Sequence, residues 1–324
     1  MEQPHLAREI MRKRLITLAP EQHVLDGIAL LLRYNISGAP VVDEQDNYLG
    51  VFSEKCSMRV LKVTSDWAHR TLPHLPDVRA RDFMVTDLIT LRPDMDAFEA
   101  VEVLIRHHIS GAPVVDQDRR FLGVFSEKTS MSVVLAAAYD QMPTTRLEAF
   151  MNTDRGRIIP EDIELMAVAQ IFIDTPYRRL PVVRDGKLVG QVCRRDVLRA
   201  QHHLSKFVRD REQALRADRE QAAGPGAPPE DLADPETFCI AAFMDRKALT
   251  ITEDTDLLDI ARIFLHTPYR RLPVLRDGKL VGQISRHDVL RAAHELSEVK
   301  SRPKRWQSLF LSAVVERHES PLAE

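Results

Sequence analysis

The chain is poor in several things that would mark a specialised class. Cysteine is scarce: Cys56, Cys193 and Cys239 form an odd, widely spaced set that suggests neither a disulfide framework nor a zinc cluster. No apolar run approaches the ~18 residues of a membrane span. The start, residues 1–14, is polar, carries Glu2 and Glu9 and lacks a signal-peptide core. Charge of one sign is also missing, because 45 Lys and Arg against 48 Asp and Glu leave a net charge of −3. That balance gives no general drive towards nucleic acid or an anionic membrane. Aromatic residues, at 6%, argue the same way for nucleic acid. There is no Walker loop, nucleophile elbow or His-Glu-x-x-His pattern. The expectation is a cytoplasmic, non-catalytic protein of 324 residues, a length that fits roughly two domains.

What the chain does have is internal repetition. Residues 36–55 read ISGAPVVDEQDNYLGVFSEK and residues 109–128 read ISGAPVVDQDRRFLGVFSEK. Residues 177–200 read YRRLPVVRDGKLVGQVCRRDVLRA and residues 269–292 read YRRLPVLRDGKLVGQISRHDVLRA. Pro40, Pro113, Pro181 and Pro273 mark one place in four units. Met11, Met84, Met151 and Met244 stand 29 or 30 residues before them, and Gly50, Gly123, Gly190 and Gly282 stand 9 or 10 residues after.

The fourth unit shows the local structure this pattern dictates. Leu249 to Thr252 reads as a short strand. Asp254 and Asp256 sit where a helix begins, and Leu257, Leu258, Ala261, Ile263, Phe264 and Leu265 give it a broad apolar face. Leu272 to Leu275 reads as a strand that starts with proline, where no ladder donor is lost. Asp277-Gly278 is a favoured type I′ hairpin pair, Leu280 to Ile284 the return strand, and Ser285 the start of a second helix. The order is β-α-β-β-α, and a unit of about 55 residues is marginal alone, so units are expected to pair.

This unit, with its APVVD or LPVV strand and its G-x-h-S-x-x-D turn, resembles the CBS domain family over nearly the whole chain. The resemblance implies an α+β fold of four β-α-β-β-α CBS repeats paired into two pseudo-two-fold Bateman modules. Repeats 1 and 2 are alike, and so are 3 and 4, which predicts a first pair over 1–138 (repeats at about 6–65 and 79–138) and a second over 145–298 (repeats at about 145–205 and 238–298). A charged helix and a Pro/Gly linker are expected within 206–237, including GPGAPPEDLADP at 224–235. The end, 299–324, reads as an amphipathic tail through Trp306, Leu309, Phe310, Ala313 and Val314.

The resemblance also implies a ligand containing adenosine: AMP, ADP, ATP or S-adenosylmethionine. The matching positions of the family make Asp196 and Asp288 ribose acceptors, with Ser285 supporting Asp288. Arg178, Arg179, Arg270 and Arg271 become phosphate contacts, a role that suits guanidinium groups. Tyr177 and Tyr269 fall where the family contacts adenine, and Thr250 is a further polar candidate whose place in repeat 3 is taken by Ile158. A second reading of the same turn needs no ligand: Ser-x-x-Asp before an apolar run is a helix capping box. Cys193 is a poor cap, yet Asp196 stands three residues after it. Repeats 1 and 2 carry Cys56 and Thr129 at the Asp place and Ser37-Gly38 and Ser110-Gly111 at the arginine place, so the first pair is expected to be structural or partner-binding. His107-His108 and His202-His203 are adjacent pairs whose side chains diverge on a helix, which argues against a shared metal.

The function this predicts is energy sensing: a regulatory protein, homodimeric through its CBS modules, that binds an adenine nucleotide in repeats 3 and 4 and signals to a protein partner. The alternative is a ligand-free scaffold for dimerisation or protein interaction.

Overall fold

A computed structural model describes residues 6–60, 77–138, 144–203 and 238–299. The expected charged helix and linker (206–237) and all but the first residue of the tail (299–324) lie outside these residues.

Each repeat follows the predicted order. In repeat 4 the Asp256 carboxylate accepts from the Asp259 amide at 2.9 Å and so caps the helix Leu257–His266, which buries Leu257, Ile260, Ala261 and Phe264 at helical spacing. The strand Arg271–Arg276 returns through Asp277-Gly278 as Lys279–Ser285. Both turn residues have positive φ (52° and 79°), as a type I′ turn requires, and Asp185-Gly186 repeats the geometry in repeat 3 (52° and 77°). The first strand is shorter than predicted. It is Ile251–Thr252 in repeat 4, and a single residue paired parallel in the others: Leu18 with Val41, Leu91 with Val114 and Ile159 with Val182.

The proline strands begin earlier than expected, at Gly38, Gly111, Arg179 and Arg271, so each proline is internal. Its missing N–H costs nothing, because both neighbours ask it only for a carbonyl or for no bond at all. Pro40 accepts from the Leu18 amide at 3.0 Å, while Val51, opposite, turns its own amide to Asp245 at 3.0 Å.

That outward amide decides which repeats pair. Val51 exchanges two backbone bonds with Asp245, Val124 with Asn152, Gln191 with Val85 and Gln283 with Arg12, all at 2.8–3.0 Å. In every case the partner is the segment that leads into another repeat. The recurring methionines and glycines meet at the same junction. A Cβ on Gly282 would lie 2.5 Å from Met11 Sδ, and one on Gly190 would lie 2.5 Å from Met84 Sδ. Repeat 1 is thus joined reciprocally to repeat 4, and repeat 2 to repeat 3.

This corrects the expected pairing of 1 with 2 and 3 with 4, and with it the division into 1–138 and 145–298. The physical reason lies in the strand starts. Arg271 Nη1 donates to Ser37 Oγ and to the Gly38 carbonyl, each at 3.1 Å, and Arg179 Nη1 donates to the Gly111 carbonyl at 3.1 Å. The small Ser-Gly starts of repeats 1 and 2 leave space and an acceptor for arginine.

Helices close the assembly. One apolar core joins the helices of repeats 2 and 4 around Val101, Leu104, Met131, Phe264 and Leu290. A second joins repeats 1 and 3 around Ile28, Leu31, Met58, Phe172 and Val197. The order around the ring is 1–4–2–3, with sheet and helix junctions alternating.

Candidate functional site

The turn that reads Ser-x-x-Asp in repeat 4 is a helix start in all four repeats. Asp288 Oδ2 accepts from the Ser285 amide at 2.9 Å and from Ser285 Oγ at 2.6 Å, while the Asp288 amide donates back to Ser285 Oγ at 3.3 Å. Its other oxygen accepts from Arg12 Nε at 3.0 Å, and its side chain is 1% exposed. Asp196 Oδ2 accepts from the Cys193 amide at 2.8 Å, but the residue keeps partial exposure. Burial and the adjacent Asp196 push the Cys193 thiol up to about 12. In repeat 2 the pair is Ser126 and Thr129, bonded reciprocally at 2.8 and 3.3 Å.

A cavity of about 320 Å³ opens where module 2–3 meets repeat 4. Of the residues predicted from sequence, Tyr177, Arg178, Arg179 and Arg270 line it together. Asp196, Asp288, Ser285, Arg271, Tyr269 and Thr250 do not. Arg271 serves the 1–4 junction, the Tyr269 hydroxyl donates to the Lys247 carbonyl at 3.2 Å, and Thr250 is half-buried just before the first strand. Tyr177 stands under the Arg157 guanidinium, 5.0 Å from its ring centre, and its hydroxyl donates to Asp154.

Charge in this cavity is unbalanced. Lys128, Arg157, Arg178, Arg179, Arg270 and Arg286 line it against Glu127 and Asp154. Arg178 donates to the Pro268 carbonyl at 2.6 Å, and Arg270 Nε lies 3.4 Å from Glu127. Burial, followed by the neighbouring Arg270, Arg286 and Arg194, holds Arg178 well below the usual guanidinium range. Burial also lowers Arg286 to about 10 and draws Lys128 down, with Arg286 and Arg178 adding to the effect on Lys128. These groups gain from any anion that enters.

The sequence reading missed Ser126, Lys128 and Thr129 because it looked for ligand groups in repeats 3 and 4 alone, and it missed Asp154 and Arg157 of repeat 3 because they precede the recurring strand and turn. One available signal was the alternation of Ser-Glu-Lys (53–55 and 126–128) with Cys-Arg-Arg (193–195) and Ser-Arg-His (285–287). Across the helix junctions Arg195 meets Glu54 at 3.0 Å and His287 lies 3.8 Å from Glu127. Among the described residues no cluster of metal-ligating side chains occurs, and no helix is long and apolar enough to cross a membrane.

Matches to the CBS domain cover residues 7–55, 80–129, 150–203 and 240–295, more than half of the chain. The chain therefore belongs to the CBS domain family, as four tandem repeats in an α+β fold. Among curated relatives, inosine-5'-monophosphate dehydrogenase of Methanocaldococcus jannaschii is 27% identical over 37% of this chain and 22% of its own length. MJ1225 of the same organism is 24% identical over 65% of this chain and 68% of its own length. The chloroplastic CBSX1 of Arabidopsis thaliana is 29% identical over 35% of this chain and 59% of its own length. The chain thus spans about a fifth of the dehydrogenase and three fifths of CBSX1. Among solved structures, CBSX2 in complex with AMP is 26% identical over 39% of this chain and 98% of its own, with a TM-score of 0.36. MJ1225 is 20% identical over 89% and 99%, also with a TM-score of 0.36.

Proposed function

We propose that this chain is a non-catalytic regulatory protein that binds an adenine nucleotide in module 2–3 and passes that state to a protein partner. The observation that carries the reading is the central cavity, where Arg178, Arg179, Arg270 and Lys128 converge with few counter-charges. Phosphate groups supply the missing negative charge and accept forked guanidinium bonds. Val124, Tyr177 and Leu265 offer apolar surface for a base, and Ser126 and Thr129 offer hydroxyls for a sugar. The partly exposed Asp196 is a second ribose candidate in the other cleft of that module. AMP, ADP and ATP suit the cavity, whereas S-adenosylmethionine brings a sulfonium cation into a cationic site.

The reading assigns the chain a cytoplasmic location and a dimeric state. A melting-shift screen with AMP, ADP, ATP and S-adenosylmethionine tests it. Stabilisation by the nucleotides and none by the sulfonium compound is expected. No shift with any nucleotide would favour the ligand-free scaffold.

A further inference from the structure

The two aspartates that the repeats place alike are not alike in their surroundings. Both stand at the start of the last helix of a repeat, opposite the leading segment of the partner repeat. In module 2–3 that segment puts Val85 against Gln191, and the Asp196 carboxylate is bonded within its own cap, to Cys193. In module 1–4 the corresponding residue is Arg12, against Gln283. Its Nε donates to Asp288 Oδ1 at 3.0 Å, and Arg291 lies 3.8 Å from the same oxygen. Ser285 holds Oδ2. Both oxygens of Asp288 are therefore taken, and the side chain is 1% exposed while that of Arg12 is 60% exposed.

We infer that Arg12 is a specificity-determining residue: a guanidinium latch that occupies the Asp288 carboxylate and makes module 1–4 blind to nucleotides while module 2–3 stays open. A ribose needs an acceptor it can reach, and a 1% exposed carboxylate that already accepts from the Ser285 amide, Ser285 Oγ and Arg12 Nε keeps at most about one lone pair and no open face. The latch costs the fold little, because its backbone is held independently. Arg12 exchanges amide and carbonyl with Gln283 at 2.9 and 3.0 Å, and Met11 packs on Gly282. The side chain is an addition to a junction that already stands. The proposal extends the nucleotide reading above, in that it uses Asp288 as a ribose acceptor once released.

Calorimetric titration of the full chain with ADP tests the latch. Arg12→Gln is expected to gain one nucleotide site per chain over the unaltered protein. Asp288→Asn alone is expected to leave the number of sites and the affinity unchanged, since the carboxylate is unavailable. The double variant, Arg12→Gln with Asp288→Asn, is expected to lose the gained site. Circular dichroism of each variant establishes that it folds, and Arg12→Ala serves as a second release of the latch. The idea is overturned if both Arg12 variants bind no more ADP than the unaltered chain, or if Asp288→Asn weakens ADP binding in the otherwise unaltered chain. An Arg178→Ala background separates this from the central-cavity reading: it removes the cavity's contribution and leaves the gained site. Absence of ADP binding by the unaltered chain would count against the cavity, and the Arg12 variants would still decide the latch.

Discussion

Gly123 of repeat 2 and Asn152 of repeat 3 lie backbone against backbone: a Cβ added to Gly123 would stand 2.7 Å from the Asn152 carbonyl oxygen. The same Asn152 carbonyl accepts from the Val124 amide, one of two bonds those residues exchange, each 2.9 Å, so the leading segment of repeat 3 cannot retreat without breaking them. Gly123→Ala is expected to destabilise the protein by about 1–3 kcal/mol, the range for an overpacked site, measured by denaturant unfolding. Unchanged stability would mean that this junction is not formed as described.

Pairing of 1 with 4 and 2 with 3 makes a strong statement about fragments. Residues 1–138 and 145–324 each hold one repeat of either module, so neither contains a complete sheet-to-sheet pair. Apart, the two fragments are expected to show no ADP-dependent melting shift; mixed, they are expected to associate and recover it. An isolated 145–324 fragment that melts cooperatively and is stabilised by ADP would show that repeats 3 and 4 pair with each other.

The helix junction of repeats 1 and 3 carries a largely buried ion pair, Arg195 with Glu54 at 3.0 Å, reinforced by Arg195 with Asn35. Glu54→Ala and Arg195→Ala are each expected to cost about 1.5–3 kcal/mol, the range for hydrogen bonds to charged groups. The double variant is expected to cost less than the two losses together, because neither charge is then stranded. Strict additivity in a double-mutant cycle measured by urea unfolding would contradict a direct contact.

Much of the repeat was legible in the sequence, and for physical reasons. Local chemistry sets the turn at Asp277-Gly278, the cap at Asp256 and the helical face of Leu257, Ala261 and Phe264; Ile260, absent from the expected face, is buried with them, while Leu258, Ile263 and Leu265 are only half-buried. Which repeats meet was not legible by likeness, because similarity between repeats 1 and 2 says nothing about which surfaces fit. Complementarity did carry that information, in Ser-Gly against Arg at the strand starts and in Glu54 against Arg195 at the helix starts. The site was legible in part for the same reason. Arg178, Arg179, Arg270 and Tyr177 come together, but Lys128 and Thr129 complete their cavity from a repeat that lacks the family's aspartate. Asp288 was expected as a ribose acceptor, with a helix cap as the second reading; its bonds to Ser285 form the cap, and only tertiary structure could place Arg12, 276 positions away, on its carboxylate.

The central claim is that the cavity lined by Arg178 and Arg270 receives the phosphates of an adenine nucleotide. Calorimetry of the full chain with ATP, ADP, AMP and S-adenosylmethionine, alongside Arg178→Ala and Arg270→Ala, measures this directly. The account predicts nucleotide binding that strengthens with phosphate count and no binding of S-adenosylmethionine. Each variant should bind roughly tenfold to a hundredfold more weakly, corresponding to loss of about 1.5–3 kcal/mol. The apo melting point of Arg178→Ala should be no lower than that of the unaltered protein, since the substitution relieves crowding among Arg178, Arg270 and Arg286. Nucleotide affinity that both substitutions leave unchanged would contradict the account.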